Sequence, residues 1–501
     1  MTSETPLLLP SSERFAITRS FLQNAGYTED NVCSFLGIQR ICDFEQIDLG
    51  RLPAVGAEPK PLGLLIRVFF LLQDATVTEI ESSIPEDILE ALQVLDLLRR
   101  TGEAPTFQSS VWLYPVAGFI LASDRKKDLQ DAVFPAISPL SYRFLKRMSR
   151  SAASDALDLC CGSGVAAMLL TQHCLRVLAS DVSARAVHFA NFNCQLNDCD
   201  RVKTVESDFY SALERKTFDR IVAHPPYVPS VSNAVVWRDG GATGEEPIHR
   251  IVEGLPRFLR PGGTFYASCG GFDTRDKTFE QRIRTWLGPS EGLFDVLFAV
   301  EFDKSPWHLA IDRRSTPAAH FEPGSQRLLE GFNEIGALNF VTGALVIYRR
   351  AEAEVSLPRE PLTLRTQLSP ITDGACLDDC LRWWRWLSRT ESPAGLRRLK
   401  PRPGSSLRVH INHTVREQEL VPCSFILESS RPFHAETKVD PEMVQVLLRC
   451  DGKTTLTELY EIARKDSWVP DNLALPDFLK FSSRMIERGY LEVDASALDP
   501  C

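Results

Sequence analysis

The chain lacks any apolar run long enough to cross a bilayer. The most apolar run, Pro61–Leu72 (PLGLLIRVFFLL), falls well short of the ~20 residues a spanning helix needs and carries Arg67 in its middle, so it reads as a buried helix. No membrane role is expected. The opening residues, MTSETPLLLPSSER, have neither a basic start nor a long apolar core, so no secretory signal is expected there. A disulfide framework is missing too. The 13 cysteines are odd in number and scattered, with Cys160 and Cys161 adjacent, which fits reduced thiols in a cytoplasmic protein. Neither sign of charge dominates: 56 Lys and Arg against 66 Asp and Glu leave −10. That excludes a histone-like polycation while leaving room for a local basic groove. There is no internal repeat and no long low-complexity tract.

What is present is an ordinary globular composition, 44% hydrophobic and 24% charged, over 501 residues. Such a length suits roughly three domains of ~150 residues. Residues 1–135 read as a mainly helical accessory domain. A helix opens at Pro85-Glu86-Asp87 and carries Ile88, Leu92 and Leu95 on one face, and Val111–Leu121 reads as strand, turn, strand, so the part is winged-helix-like. Residues 136–352 alternate short apolar runs with helical stretches. Strands are expected at Ala156–Cys160, Arg176–Ser180, Lys203–Glu206, Phe218–Ala223, Gly263–Ser268, Phe294–Phe302 and Ala344–Arg349, with helices such as Ala184–Leu196 and Pro247–Leu259 between them. This pattern predicts a doubly wound α/β domain, a parallel sheet covered on both faces. Residues 353–375, rich in Pro, Thr and Ser, read as a linker, and 376–501 as a smaller C-terminal α+β accessory domain.

The chemistry-bearing residues cluster in the middle part. Asp158-Leu159-Cys160-Cys161-Gly162-Ser163-Gly164 closes the first strand and opens a helix. Gly162 and Gly164 permit a sharp turn and a close approach of backbone to ligand, and the helix start offers unpaired N–H groups. Asp181 ends the second strand, where a carboxylate can accept hydrogen bonds from two ribose hydroxyls. Asp208-Phe209 follows the third strand, an acid and a ring suited to an adenine. Gly162–Ala167 also fits the G-x-G-x-x-A form of a dinucleotide fingerprint, so a nicotinamide cofactor competes. Asp158 preceding the glycines, and the lack of hydride chemistry downstream, tilt against it.

The fourth strand ends in Ala223-His224-Pro225-Pro226-Tyr227-Val228-Pro229. Together with Asp158–Gly164, Asp181 and Asp208, this HPPY resembles the class I S-adenosylmethionine-dependent methyltransferases, more narrowly the group with an (Asn/Asp)-Pro-Pro-(Tyr/Phe) signature. That group includes the release-factor glutamine methyltransferases and the amino-directed nucleobase methyltransferases. Trp237–Gly244 (WRDGGATG) resembles the Gly-rich stretch after the signature in the glutamine enzymes, and Arg260-Pro261-Gly262-Gly263 is usual before the fifth strand. The resemblance covers about two-fifths of the chain. It implies a Rossmann-like seven-stranded methyltransferase sheet and S-adenosyl-L-methionine as cofactor. Asp158, Cys160, Gly162, Gly164, Asp181, Asp208, Phe209 and His224 would line the cofactor site, and His224, Pro225 and Tyr227 would clamp the acceptor.

Residue 224 departs from the pattern. Asn or Asp offers a carbonyl-type oxygen, whereas His offers one ring nitrogen, and only while neutral. The Pro225 carbonyl can take one N–H of a planar nitrogen, residue 224 the other, and Tyr227 can stack on the acceptor plane. Cys160 and Cys161 stand where a glycine is more usual; both are small enough for the turn. The expected activity is N-methylation of a protein or peptide amide. An RNA or DNA amino-methyltransferase, a small-molecule methyltransferase and an inactive methyltransferase-fold binding protein are the alternatives.

The outer parts give weaker signals. Arg382, Arg385, Arg389, Arg397, Arg398, Lys400 and Arg402 interleave with Trp383, Trp384 and Trp386, which suits nucleic acid, although one buried helix face with a basic side is favoured. Cys376, Cys380, His410 and His413 have zinc-like composition, but the histidines fall in a strand-like run where an i, i+3 pair faces opposite ways, so no metal is expected. The segment from Leu448 to Val493 is similar to small winged-helix domains that hold peptides for modifying enzymes.

Overall fold

The computed structural model describes residues 6–46, 61–101, 106–125, 130–232, 234–311, 323–355, 359–389 and 393–494. They fall into two units: Met1–Lys146 with Arg150–Phe279 and Lys304–Phe340, and Arg147–Ser149 with Glu280–Asp303 and Val341–Cys501.

The first unit is organised by five strands, β1 (Ala153–Leu159), β2 (Cys174–Asp181), β3 (Val202–Glu206), β4 (Phe218–Ala223) and β5 (Leu259–Thr274). They lie in the order β5-β4-β1-β2-β3 and every pair is parallel. Parallel pairing needs crossovers, and helices supply them: α1 (Val165–Leu170) between β1 and β2, α2 (Ala184–Leu196) between β2 and β3, and α3 (Glu246–Phe258) between β4 and β5. Helix α3 buries Ile248, Ile251, Val252, Leu255 and Phe258, the spacing of one helical face. The strand order reverses at β1, which has β2 on one side and β4 on the other. In such sheets the crevice at the carboxyl ends beside the reversal is where ligands bind. Register brings those ends into one row, since Leu159 pairs with both Ala223 and Ser180, and Asp181 with Glu206. Four adjacent strand ends span about 14 Å, three spacings of ~4.8 Å.

The boundary expected at residue 135 falls inside this unit, and there is a physical reason. The hairpin Trp112–Val116 and Phe119–Ser123 leaves one strand edge open, and α2 closes it with two asparagines. Asn193 accepts from Ala122 N–H at 2.8 Å and donates to Ala122 O at 3.0 Å; Asn197 does the same for Ile120 at 2.8 and 2.7 Å. Asn193 also donates to Ser163 O at 2.9 Å, in the turn after β1. Beside them, Arg185 and Asp124 form a buried two-point ion pair, and Asp124 further accepts from Val133 N–H at 2.8 Å.

In the second unit, β6 (Phe294–Lys304) lies between β7 (Ala337–Arg349) and β8 (Thr363–Gln367), and β8 pairs with it in parallel from Val296↔Thr363 to Val300↔Gln367. All seven segments expected as strands are therefore strands, and β8 is an eighth, inside the stretch expected to be a linker. Helix α4 (Gly374–Arg389) follows. Its Trp383 is buried in a core with Leu459, Phe478 and Tyr490, while Trp384 and Trp386 pack against the same core. Arg385 and Arg389 both pair with the buried Glu354, and Arg385 lies 3.6 Å over the Tyr348 ring. Helix α4 is thus a packed helix with two of its arginines engaged internally, while Arg382 pairs with Asp379 at the surface and Arg397, Arg398, Lys400 and Arg402 beyond it are exposed. His410 lies in an antiparallel strand, Arg408–Arg416, and meets Glu428 at 2.6 Å. Among the described residues no group of His, Cys, Asp and Glu could hold a metal ion.

Replacing Asn193, wholly buried, by Ala leaves the Ala122 N–H and two carbonyls unpaired inside the fold. The expected loss is about 2–4 kcal/mol, since one unsatisfied buried group costs about 1–3 kcal/mol. A lowered urea midpoint at constant slope checks it.

Candidate active site

Four turns after β1, β2, β3 and β4 enclose a cavity of ≈ 270 Å³. In the first, Cys160, Gly162 and Gly164 adopt φ of 58°, 50° and 79°, the left-handed region. At Gly164 space forbids a side chain as well, because a Cβ would come within 3.0 Å of the Ala190 Cβ on α2. Gly164 therefore packs the turn against α2 and does not line the cavity, where a ligand contact was expected; Cys160 and Gly162 do line it. Asp158 is buried beneath the turn and accepts from Ala167 N–H at 3.0 Å. Asp181 binds the turns to each other: its carboxylate accepts from Gly162 N–H and Ser183 N–H, both at 3.0 Å, and its carbonyl from Ser207 N–H at 2.8 Å. Each carboxylate oxygen keeps a second lone pair for a ligand hydroxyl. Asp208 and Phe209 follow and line the cavity.

Beyond β4, His224, Pro225 and Tyr227 form the opposite wall. The His224 ring sits between Phe144, at 5.0 Å and 36°, and Tyr227, at 6.3 Å and 27°. Neither ring nitrogen of His224 nor the carbonyl of Pro225 has a hydrogen-bond partner among the described residues. The loop is strapped by the segment after it: Val228 N–H donates to Arg238 O at 3.1 Å, Gly240 N–H to Val228 O at 2.9 Å and Ser230 N–H to Gly241 O at 2.8 Å. Gly240 is required for that closeness, since a Cβ there would meet the Gly244 and Pro226 carbonyls at 2.7 and 2.8 Å. Trp237 stacks on Phe134 at 4.6 Å and extends the aromatic wall. Phe134 and Phe144 were not singled out in the sequence; only the quoted WRDGGATG run pointed to Trp237.

Residues 139–270 match the family described as the methyltransferase small domain. The match spans β1 to β4, most of β5 and all four turns. The chain is also similar to a ribosomal protein uL3 glutamine methyltransferase of Neisseria meningitidis serogroup A, 30% identical over 152 residues, 28% of this chain and 50% of the relative. A release factor glutamine methyltransferase of Xylella fastidiosa is 32% identical over 133 residues, 24% of this chain and 48% of the relative. One from Gloeobacter violaceus is 26% identical over 225 residues, 38% and 79% of the two chains. The chain spans about half the length of the first two.

Burial sets the electrostatics of the domain. It pushes the Asp158 carboxyl up to about 8, with the Ala167 N–H opposing and the Asp181 charge adding. Asp181 is also raised by burial, against the N–H groups of Ser183, Gly162 and Val182. Both Cys160 and Cys161 thiols are pushed up by burial and then by neighbouring carboxylates, so neither is a nucleophile at neutral pH. Burial alone pushes the His224 imidazole down to about 4. It is therefore neutral at pH 7. A ligand joining a nucleoside to an amino acid fits this donor set: acids at the ends of β2 and β3, a ring at Phe209, and an acid below the glycine turn.

The His224 shift carries a sign. Between pH 4 and 6.5 the unfolded chain takes up a proton that the fold refuses, so stability falls as pH drops through that window. The ring resonances of His224 should titrate near 4, not 6.5, by NMR. His224→Asn should flatten the stability–pH slope across the same window.

Proposed function

We propose that this chain is an S-adenosylmethionine-dependent methyltransferase that N-methylates a primary amide of a protein or peptide. The observation that carries the reading is the pair of unpartnered acceptors, the Pro225 carbonyl and the neutral His224 imidazole, on the cavity wall across from the acid-bearing turns. The similarity to the glutamine methyltransferases named above supports it.

When bound, the cofactor supplies an electrophilic sulfonium methyl. Asp181 would hold the ribose hydroxyls through its second lone pairs, Asp208 and Phe209 the adenine, and the Asp158–Gly162 turn the amino-acid end. An amide nitrogen is a weak nucleophile because its lone pair is delocalised. Gripping one N–H on the Pro225 carbonyl and the other on His224 turns that lone pair toward the methyl, and Tyr227 supports the acceptor plane. As the methyl is transferred, the N–H held by His224 would pass its proton to the neutral imidazole. The nitrogen of an N-alkylated amide that still carries both of its original protons is cationic and so acidic that an imidazole held near 4 still accepts from it. An alkylammonium, at ~10.4, would not yield its proton to such a base, which argues against a lysine acceptor. Two of the seven basic residues of the Trp-rich segment, Arg385 and Arg389, are paired with Glu354, which leaves fewer cations for phosphates. No helix among the described residues is long and apolar enough to cross a membrane, and the described cysteines are all free, as in a cytoplasmic setting.

Radiolabelled S-adenosylmethionine, purified protein and extract from cells lacking it should place label in material that protease, but not nuclease, releases. Release by nuclease alone would replace the amide reading with a nucleobase one. On the labelled substrate, His224→Asn should keep transfer within about tenfold, while His224→Leu should cost about 10²-fold or more in kcat, the usual worth of a positioned proton acceptor.

A further inference from the structure

We infer that Arg250, outside the cavity on α3, is a positioning residue that makes the nucleoside site selective for a base with an exocyclic amine. The inference rests on the cofactor reading above and goes beyond it to a residue that the sequence did not single out. Arg250 donates to Asp208 Oδ2 at 2.8 Å, and its guanidinium lies 4.6 Å from the centre of the Phe209 ring. Asp208 and Phe209 both line the cavity, whereas Arg250 does not. The cation therefore covers Phe209 from behind and leaves the ring's cavity side open for a base.

Two consequences follow from the bond to Asp208. First, one carboxylate oxygen is occupied and its side chain is fixed in rotation, while Oδ1 has no partner among the described residues and remains an acceptor. An acceptor at that place favours a purine that presents an amino group and opposes one that presents a carbonyl. Second, the pair holds a guanidinium 2.8 Å from the other carboxylate oxygen, so the orientation of Oδ1 is set by a charged partner. The loop itself is already constrained: Phe209 stands at φ 49°, Ser207 donates to Phe209 O at 2.8 Å and accepts from Ala212 N–H at 3.1 Å. Arg250 thus acts on the side chains of a loop whose backbone is held by other bonds.

The test is calorimetric binding of S-adenosylhomocysteine and of its 6-oxo (inosine) counterpart to the whole chain. The wild type should bind the adenine form about tenfold tighter or more, the worth of one charge-assisted hydrogen bond. In Arg250→Met that ratio should shrink to about threefold or less, and in Arg250→Lys it should lie between, because charge is kept and ring coverage lost. An unchanged ratio in Arg250→Met overturns the inference while leaving the cofactor reading intact. A wild type that binds neither compound overturns both. Should Arg250→Met fail to fold, Arg250→Lys decides alone, since a wild-type ratio there removes the requirement for the planar guanidinium.

Discussion

The carboxylate of Asp181 receives the Gly162 and Ser183 N–H groups, and its carbonyl receives that of Ser207. Three turns that belong to three different strands are thus tied through one residue, and the cavity exists because they meet there. The register of the parallel sheet makes this economical. With Leu159, Ser180 and Ala223 level across adjacent strands, each strand leaves the sheet at the same height, and one residue reaches both neighbouring turns, one by its side chain and one by its carbonyl. A slip of register would carry Asp181 away from Gly162 and open the turn. Burial of that carboxylate works against its charge, and the three backbone donors are what hold it in place.

The same low-dielectric surroundings shape the two walls in opposite directions. On the acid side, burial makes charge costly, so a cationic or hydroxyl-bearing ligand relieves an existing strain on Asp158 and Asp181. On the His224 side, burial keeps the imidazole neutral and aromatic contacts with Phe144 and Tyr227 set its plane, with no hydrogen bond doing so. An Asn at this position would carry its acceptor on a short amide. The imidazole is larger, and the ring of Phe144 is part of what lets it fit without a polar partner.

Much of this was legible in the chain. Strands β1, β4, β5, β6 and β7 carry long buried stretches and read as apolar runs between turn residues, β2 and β3 are marked by their place on either side of helix α2, and the acids sit where the strands stop. Strand β8 escaped because Thr363–Gln367 (TLRTQ) pairs on one side only and is mostly half-exposed, so neither alternation nor apolar content marks it. Gly164 was read as a ligand contact because glycine spacing does not distinguish a cradle for a ligand from close packing on a helix. Arg250 lies far along the chain from Asp208, and nothing local connects them. Phe134 and Phe144 are ordinary apolar residues until the fold brings them to the cavity.

The asparagine pair on α2 has a consequence for what counts as a module. Asn193 and Asn197 spend their amides on the hairpin at Phe119–Ser123, and Asn193 reaches the glycine turn with its remaining N–H. A fragment cut at residue 136 would keep every strand and every acid of the site. It would also present two helical amides with nothing to bind, beside Arg185 stripped of Asp124. The part of this chain that carries the site is therefore not an interchangeable cassette: the hairpin that precedes it in sequence is held by the same helix that backs the glycine turn.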